Sequence, residues 1–280
     1  MLETDYSFEK RVVVFLDVLG FKRKLNEFEE EASHNVSSLD FDMYVSLKAI
    51  DFIETFKKNI DQIKTAYGDK LNYYLFSDNM CFSIELGESH DILIEILFSV
   101  CDLFESFAEK GYFLRGAADV GLFINNRDIA IGIPLVNSYE LESEEALYPR
   151  FLLSANYIAK INEGILEKRF SEKMLSNRRL LIKGVCENYQ LNIFGSVITR
   201  ENLDSKYQFL KQYRDSISQN LTTFAKNENI HRKYKLLDSD FCDFIKVYLR
   251  DFADLDSGLA DLSEDEIGNF MEQLKGLINV

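Results

Sequence analysis

Apolar positions change their period several times along this chain. Arg11 to Phe21, RVVVFLDVLGF, is a β-branched apolar run too short for a full helix and ended by Gly20. It predicts a strand buried on both faces, with helix to follow. From Phe41 to Tyr67, Tyr44, Leu47, Ile50, Ile53 and Phe56 recur at three-residue steps with Lys and Asp between them. That stripe predicts an amphipathic helix or a pair of helices. Lys70 to Glu85, KLNYYLFSDNMCFSIE, sets two β-prone runs on either side of Ser77-Asp78-Asn79. A turn-forming cluster between such runs predicts a hairpin. Asp91 to Lys110 reads as helix, Leu114 to Phe123 and Ile129 to Ile131 as short strands, Val136 to Glu145 as the start of a helix, and Phe151 to Ser154 as a strand.

The order β-α-ββ-α-β-(β)-α-β predicts an α+β fold, a ferredoxin-like βαββαβ core with helices over a mostly antiparallel sheet, within about the first 155 residues. Leu180 to Ile198 supplies a further hairpin around Glu187-Asn188, and Ser205 to Val280 is helix-rich. With two prolines, Pro134 and Pro149, and no low-complexity stretch, no flexible linker is visible. The expected division is a core over residues 1–200 and a helical C-terminal extension over residues 201–280 that packs on it. From Asp251 onward the extension carries eight acids against Lys275, which predicts solvated helix faces.

Charge narrows the partners. The chain has 280 residues, 32 basic and 47 acidic side chains, and a net charge of −15. A nucleic-acid-binding face needs the opposite balance, so no nucleic acid is expected. No run reaches the ~18 apolar residues of a membrane span, and the start, MLETDYSFEKR, is unlike a signal peptide; a soluble, cytoplasmic protein without a membrane partner is expected. Cys81, Cys101, Cys186 and Cys242 lack metal-ligand spacing and read as small buried hydrophobes. His34, His90 and His231 read as surface residues.

Two carboxylates bear on chemistry. Asp17 interrupts the most apolar strand, where an ionised carboxylate costs several kcal/mol unless paired or coordinated to a cation. Asp78 lies at the hairpin tip. A βαββ arrangement sets the first strand beside that hairpin, so both acids converge at one edge. Convergent Asp residues without His or Cys suit Mg²⁺ or Mn²⁺. Taken singly, Asp78 is equally a turn former and Asp17 equally a cap at the strand end.

These residues carry a resemblance. FLDVLGF, with Phe15, Asp17, Gly20 and Phe21, resembles the first-strand motif F-x-D-I-x-G-F of the class III nucleotidyl cyclases. FSDNM, at Phe76 to Met80, resembles their second motif, a Gly-Asp hairpin. RGAADVG at Arg115 to Gly121 resembles the strand before their catalytic helix, and Gly132, Leu141, Glu142 and Ser143 match the G-x-x-V-N-x-A-x-R-L-E-S block. With YPR at Tyr148 to Arg150, the ordered set is similar to the pyrimidine cyclases of bacterial Pycsar anti-phage systems, more so than to adenylyl cyclases. It covers about Val12 to Ser154, with a weaker similarity at Lys233-Tyr234-Lys235.

The resemblance implies a class III nucleotidyl cyclase fold and a catalytic core over residues 1–200. It implies that Asp17 and Asp78 hold two divalent ions, Mg²⁺ or Mn²⁺, about 4 Å apart for in-line attack of the ribose 3′ oxygen on the α-phosphorus and loss of pyrophosphate. The N–H groups of Val18, Leu19, Gly20 and Phe21 would cradle phosphate oxygens. The purine-reading Lys of the family falls on Tyr74 and its second base-reading position on Ile129, so UTP or CTP is implied, with UTP preferred. Tyr74 is equally a plain strand aromatic. The transition-state Asn and Arg fall on Val136 and Glu140, with Asn137 adjacent. Arg115 and Arg150 are the candidate cations for the developing charge, or else structural partners of acids. Tyr139 and Glu142 are expected to pack and cap a homodimer interface. The implied product is cyclic UMP or cyclic CMP, acting on a separate effector in antiviral defence. The alternatives are a phosphodiester hydrolase using the same carboxylates and a non-catalytic nucleotide-binding homologue.

Overall fold

The structure, a computed structural model, describes residues 7–34, 36–38, 42–126, 129–185, 188–195, 197, 202–250 and 263–278. Strand β1 (Phe8–Val18) turns at Leu19-Gly20 into α1 (Phe21–His34). A small hairpin, β2 (Val36–Ser38) and β3 (Asp42–Tyr44), precedes α2 (Leu47–Tyr67). The hairpin β4 (Leu71–Phe76) and β5 (Asn79–Glu85) leads to α3 (Ile92–Glu109) and the long β6 (Leu114–Asn126). Then come β7 (Ile129–Ile131), α4 (Ile133–Glu140), a π turn at Leu141–Glu145, β8 (Phe151–Leu153) and α5 (Ala155–Leu166). The chain continues through α6 (Glu172–Leu181), β9 (Ile182–Val185), β10 (Asn188–Leu191), α7 (Leu203–Thr223), α8 (Glu228–Arg250) and α9 (Glu264–Ile278).

One eight-stranded sheet runs β4-β5-β1-β6-β8-β10-β9, with β7 paired to β6. Its first four strands are antiparallel in the order of a ferredoxin-like βαββαβ unit. β8 joins β6 in parallel, and the second hairpin extends the sheet beyond it. The α+β class and the helix-rich C-terminal part are therefore as expected. The turn of the second hairpin, Cys186 and Glu187, and the acidic residues 251–262 lie outside the described residues.

Strand alternation divides the sheet into two faces. Val12, Val14, Leu16 and Val18 of β1 enter the main core with Phe82, Ile84, Phe52, Leu97 and Phe104. That core is continuous with α7, α8 and α9: Phe113 meets Tyr213 at 6.0 Å and Tyr234 at 5.2 Å between ring centroids, and Ser216 Oγ donates to Ala108 O. Val13, Phe15 and Asp17 point to the other face, where Val13, Cys81 and Phe123 form a second cluster under α4. Ser138 of α4 donates to the Val13 carbonyl, and Tyr139 stands edge-on to Phe15.

Some expectations are corrected. Between the first strand and the hairpin lie two helices, and the second starts at Leu47 instead of Phe41. Ser46 caps it, accepting from the Ala49 N–H while its hydroxyl donates to Glu31. A capping Ser stops the helix N-terminally whatever apolar spacing precedes it. His90 is buried, not exposed: its ring packs against Phe170 and above Gly164, and burial with Lys160 and Arg169 nearby lowers its pKa. Cys81 and Cys101 are buried, and burial pushes the Cys81 thiol up to about 12. Among the described residues, no helix is long and apolar enough to cross a membrane.

Gly116 of β6 is where β1, β6 and β8 meet. A Cβ there would collide with the Phe15 carbonyl and come within 2.5 Å of Leu16 Cδ2. Backbone cannot yield cheaply, so Gly116→Ala is expected to destabilise the fold by about 2–3 kcal/mol, read as a lower denaturant midpoint. An unchanged midpoint would contradict this packing.

Candidate active site

Asp17 is the penultimate residue of β1 and pairs in register with Asn79 of β5 and Arg115 of β6. Cross-strand partners share a face, so Arg115 lies beside the carboxylate and donates from Nε to Asp17 Oδ2 at 2.8 Å. The cation that a buried Asp requires is supplied in part by this arginine. Burial still dominates and raises the Asp17 pKa; the Arg115 hydrogen bond and charge lower it, and the neighbouring Asp78 raises it through its charge and a side-chain hydrogen bond. Asp78 stands in a two-residue turn in which Ser77 adopts φ +57°. The hairpin tip thus brings Asp78 to Asp17, as the strand order predicts.

A third carboxylate joins them. Glu142, in the π turn, is 2% exposed, and its Oε1 lies 2.7 Å from Arg115 Nε. The single Nε hydrogen already serves Asp17, so Glu142 Oε1 has charge contact without a hydrogen bond. Burial, assisted by Asp17 and Asp78 and opposed by Arg115, pushes Glu142 up to about 7. Glu142 therefore faces inward, which corrects its expected place at an interface; Tyr139, its companion in that expectation, is half exposed against Phe15. Besides the motif match at Glu142, the sequence signal was a charge match: the β6 position next to Asp17 is Arg, and a partly buried Arg attracts a second acid.

Arg115 also reaches the Ala146 carbonyl at 3.5 Å. Arg150 is not brought to the carboxylates. Its guanidinium stacks over Tyr148 at 4.9 Å, donates to the Glu145 carbonyl and borders a separate cavity with Gln190 and Asp240. Its backbone carbonyl accepts from the Gly116 N–H, tying the YPR segment to β6. Asn137 is held by Asp119, which is fully buried and also accepts from Ser154. Val136 is exposed.

The turn after β1 places Gly20 at φ +75°, a backbone state that favours glycine, with open space where a Cβ would stand. The Leu19 N–H already donates to the Phe113 carbonyl at 2.8 Å, which removes it from the expected phosphate cradle. Gly20 and Phe21, entering α1, keep N–H groups at a helix start, and Val18 is the last residue of the strand. Tyr74 and Ile129, the two positions that the resemblance aligns with base-reading residues, meet: the Tyr74 hydroxyl lies 2.9 Å from the Ile129 carbonyl and 2.7 Å from Asn125 Oδ1.

Asp17 and Asp78 fit a hard divalent ion chemically. They are neighbouring oxygen donors whose charges act on each other, and Mg²⁺ commonly uses only one or two carboxylates besides water and phosphate. Among the described residues, no group of three or more His, Cys, Asp or Glu side chains is placed to hold a metal by itself.

Among solved structures, the chain is similar to the adenylyl cyclase CyaB from P. aeruginosa, with a TM-score of 0.45 and 15% identity over 67% of this chain and 96% of that one. No protein-family model and no curated protein matches it.

Proposed function

We propose that this chain is a nucleotidyl cyclase that converts a pyrimidine ribonucleoside triphosphate, UTP in preference to CTP, into the 3′,5′-cyclic monophosphate and pyrophosphate. The observation that carries the reading is the convergence of Asp17, Asp78 and Arg115 at adjacent strand ends beside the open Gly20 turn. In the reaction the ribose 3′ oxygen forms a bond to the α-phosphorus, the bond to the pyrophosphate oxygen breaks, and the hydroxyl proton leaves to solvent or a carboxylate. Mg²⁺ or Mn²⁺ held by Asp17 and Asp78 would neutralise phosphate charge and favour ionisation of that hydroxyl. Arg115 keeps Asp17 oriented, and the Gly20 and Phe21 N–H groups meet phosphate oxygens.

Two features support the finer points. Tyr74 and Ile129 stand together and offer no charged group to a purine edge, which favours a smaller ring. Phe76, Val136 and Tyr139 are 79%, 48% and 53% exposed around the carboxylate face, which suits a second copy of the chain completing the site. The test is incubation of the protein with each of ATP, GTP, CTP and UTP and Mg²⁺ or Mn²⁺, with products read by mass spectrometry. Cyclic UMP with equimolar pyrophosphate is expected. Cyclic AMP alone would overturn the base assignment, and no turnover by a metal-loaded protein would overturn the activity.

A further inference from the structure

At the β9 end of the sheet, the second hairpin and α8 border a cavity of about 240 Å³. Its walls are apolar: Ile182 of β9, Leu191 of β10, Phe194 after it, and Phe244 and Val247 of α8. An apolar cavity of about 150 Å³ holds benzene, so about 240 Å³ admits a fused two-ring compound of roughly ten non-hydrogen atoms.

Two polar residues of the lining are unmet. Gln190 is 5% exposed, and its Oε1 has no hydrogen-bond partner among the described residues. Arg150 keeps a buried Nε in the same condition, although its guanidinium also stacks over Tyr148 and donates to the Glu145 carbonyl. A buried acceptor and a buried donor without partners are costly, and a ligand that answers both recovers that cost on binding. Charge selects further. Lys183 and Arg150 stand against Asp240 and Asp243, so the lining carries no net charge. Asp240 lies 4.0 Å from Lys183 Nζ and accepts from the Tyr148 hydroxyl, and Asp243 accepts from Lys246. An ionised ligand would lose its hydration here without an excess of opposite charge to replace it, which favours a neutral one.

We propose that this cavity binds a neutral, planar, fused-ring lactam, whose ring N–H donates to Gln190 Oε1 and whose carbonyl accepts from Arg150 Nε. Its rings pack against Phe194 and Phe244, whose centroids are 5.4 Å apart. The site is distinct from the carboxylates, to which Arg150 is connected through its main chain: the Arg150 carbonyl accepts from the Gly116 N–H at 3.0 Å, next to Arg115.

The test is calorimetric titration of the full chain with oxindole, a two-ring lactam, beside N-methyloxindole, which lacks the donor, and indole, which lacks the carbonyl. Oxindole is expected to bind with a Kd of about 10–100 µM, and each control about tenfold more weakly. Gln190→Met, which replaces an unmet amide by an apolar chain of similar length, should keep the melting temperature and weaken oxindole about tenfold. Should Gln190→Met unfold, Val247→Phe, at a half-exposed position of the lining, is expected to fill the cavity and weaken oxindole about tenfold or more. No binding of oxindole, equal binding of N-methyloxindole, or binding indifferent to Gln190→Met and Val247→Phe would overturn the proposal. None of these readings requires turnover, so they stand or fall separately from the cyclase activity.

Discussion

Replacing Asp17 by asparagine is expected to reduce cyclisation by about 10²–10³-fold, because metal-assisted charge stabilisation at such a site amounts to several kcal/mol. The same substitution should not lower the melting temperature, and this opposition of effects is what distinguishes a functional acid from a structural one. The sign follows from the Asp17 pKa, which is raised in the fold above its ordinary 3.8. A raised pKa means that the group's contribution to stability is complete at pH below its unfolded value and is lost as pH rises through the folded one. At neutral pH the ionised Asp17 is therefore a net cost, which a neutral isostere removes. Asparagine keeps an oxygen for Arg115, and Glu142 stays 2.7 Å from the same guanidinium, so the partly buried cation is not stranded. Pyrophosphate release and thermal unfolding measured on one preparation check both halves. Full activity would end the carboxylate reading; a fall of many degrees in melting temperature would mean that Asp17 is there for the Arg115 pair. Asp78→Asn should lose activity to a similar extent.

How much of this was legible in the chain differs between local and distant features. The Ser77-Asp78 turn and the helical stripe of α3 are local patterns, and each determined an element with nearly its observed bounds, whereas the apolar run expected over Arg11 to Phe21 identified β1 but the strand lies three residues earlier, at Phe8–Val18. The meeting of Asp17 and Asp78 followed from strand order, since β1 must lie next to β5 once the βαββ order is accepted. Polar helix α1 has few buried positions, Phe21 and Phe28, so its stripe is faint and it merged with what followed. Glu142 was unreadable as a site residue because its burial depends on Arg115, which arrives from another element, and on a π turn that rotates it inward. Residues whose role depends on a partner distant in sequence leave little periodic trace.

Glu142 also gives the sharpest expected pH effect. In the unfolded chain it ionises near its ordinary 4.5, and in the fold near 7. Its contribution to stability is then complete below about pH 4.5, declines between 4.5 and 7, and is gone above 7, because the folded state must ionise a buried acid whose Oε1 has no hydrogen-bond donor. The full shift would correspond to roughly 3 kcal/mol, and solvent screening through the partly exposed Arg115 beside it reduces this to about 2 kcal/mol. Glu142→Gln is neutral throughout. It should match the unmodified protein near pH 4.5 and exceed it by about 2 kcal/mol at pH 8, seen as denaturant midpoints that diverge with rising pH. Parallel curves would show that Glu142 does not titrate in this window. Because Asp17 and Asp78 both hold Glu142 up, Asp17→Asn should move the window toward lower pH, whereas a change at Glu163, exposed and paired with Lys160, should leave it in place. That coupling links the stability profile to Asp17 and Asp78, the two carboxylates on which the proposed chemistry depends.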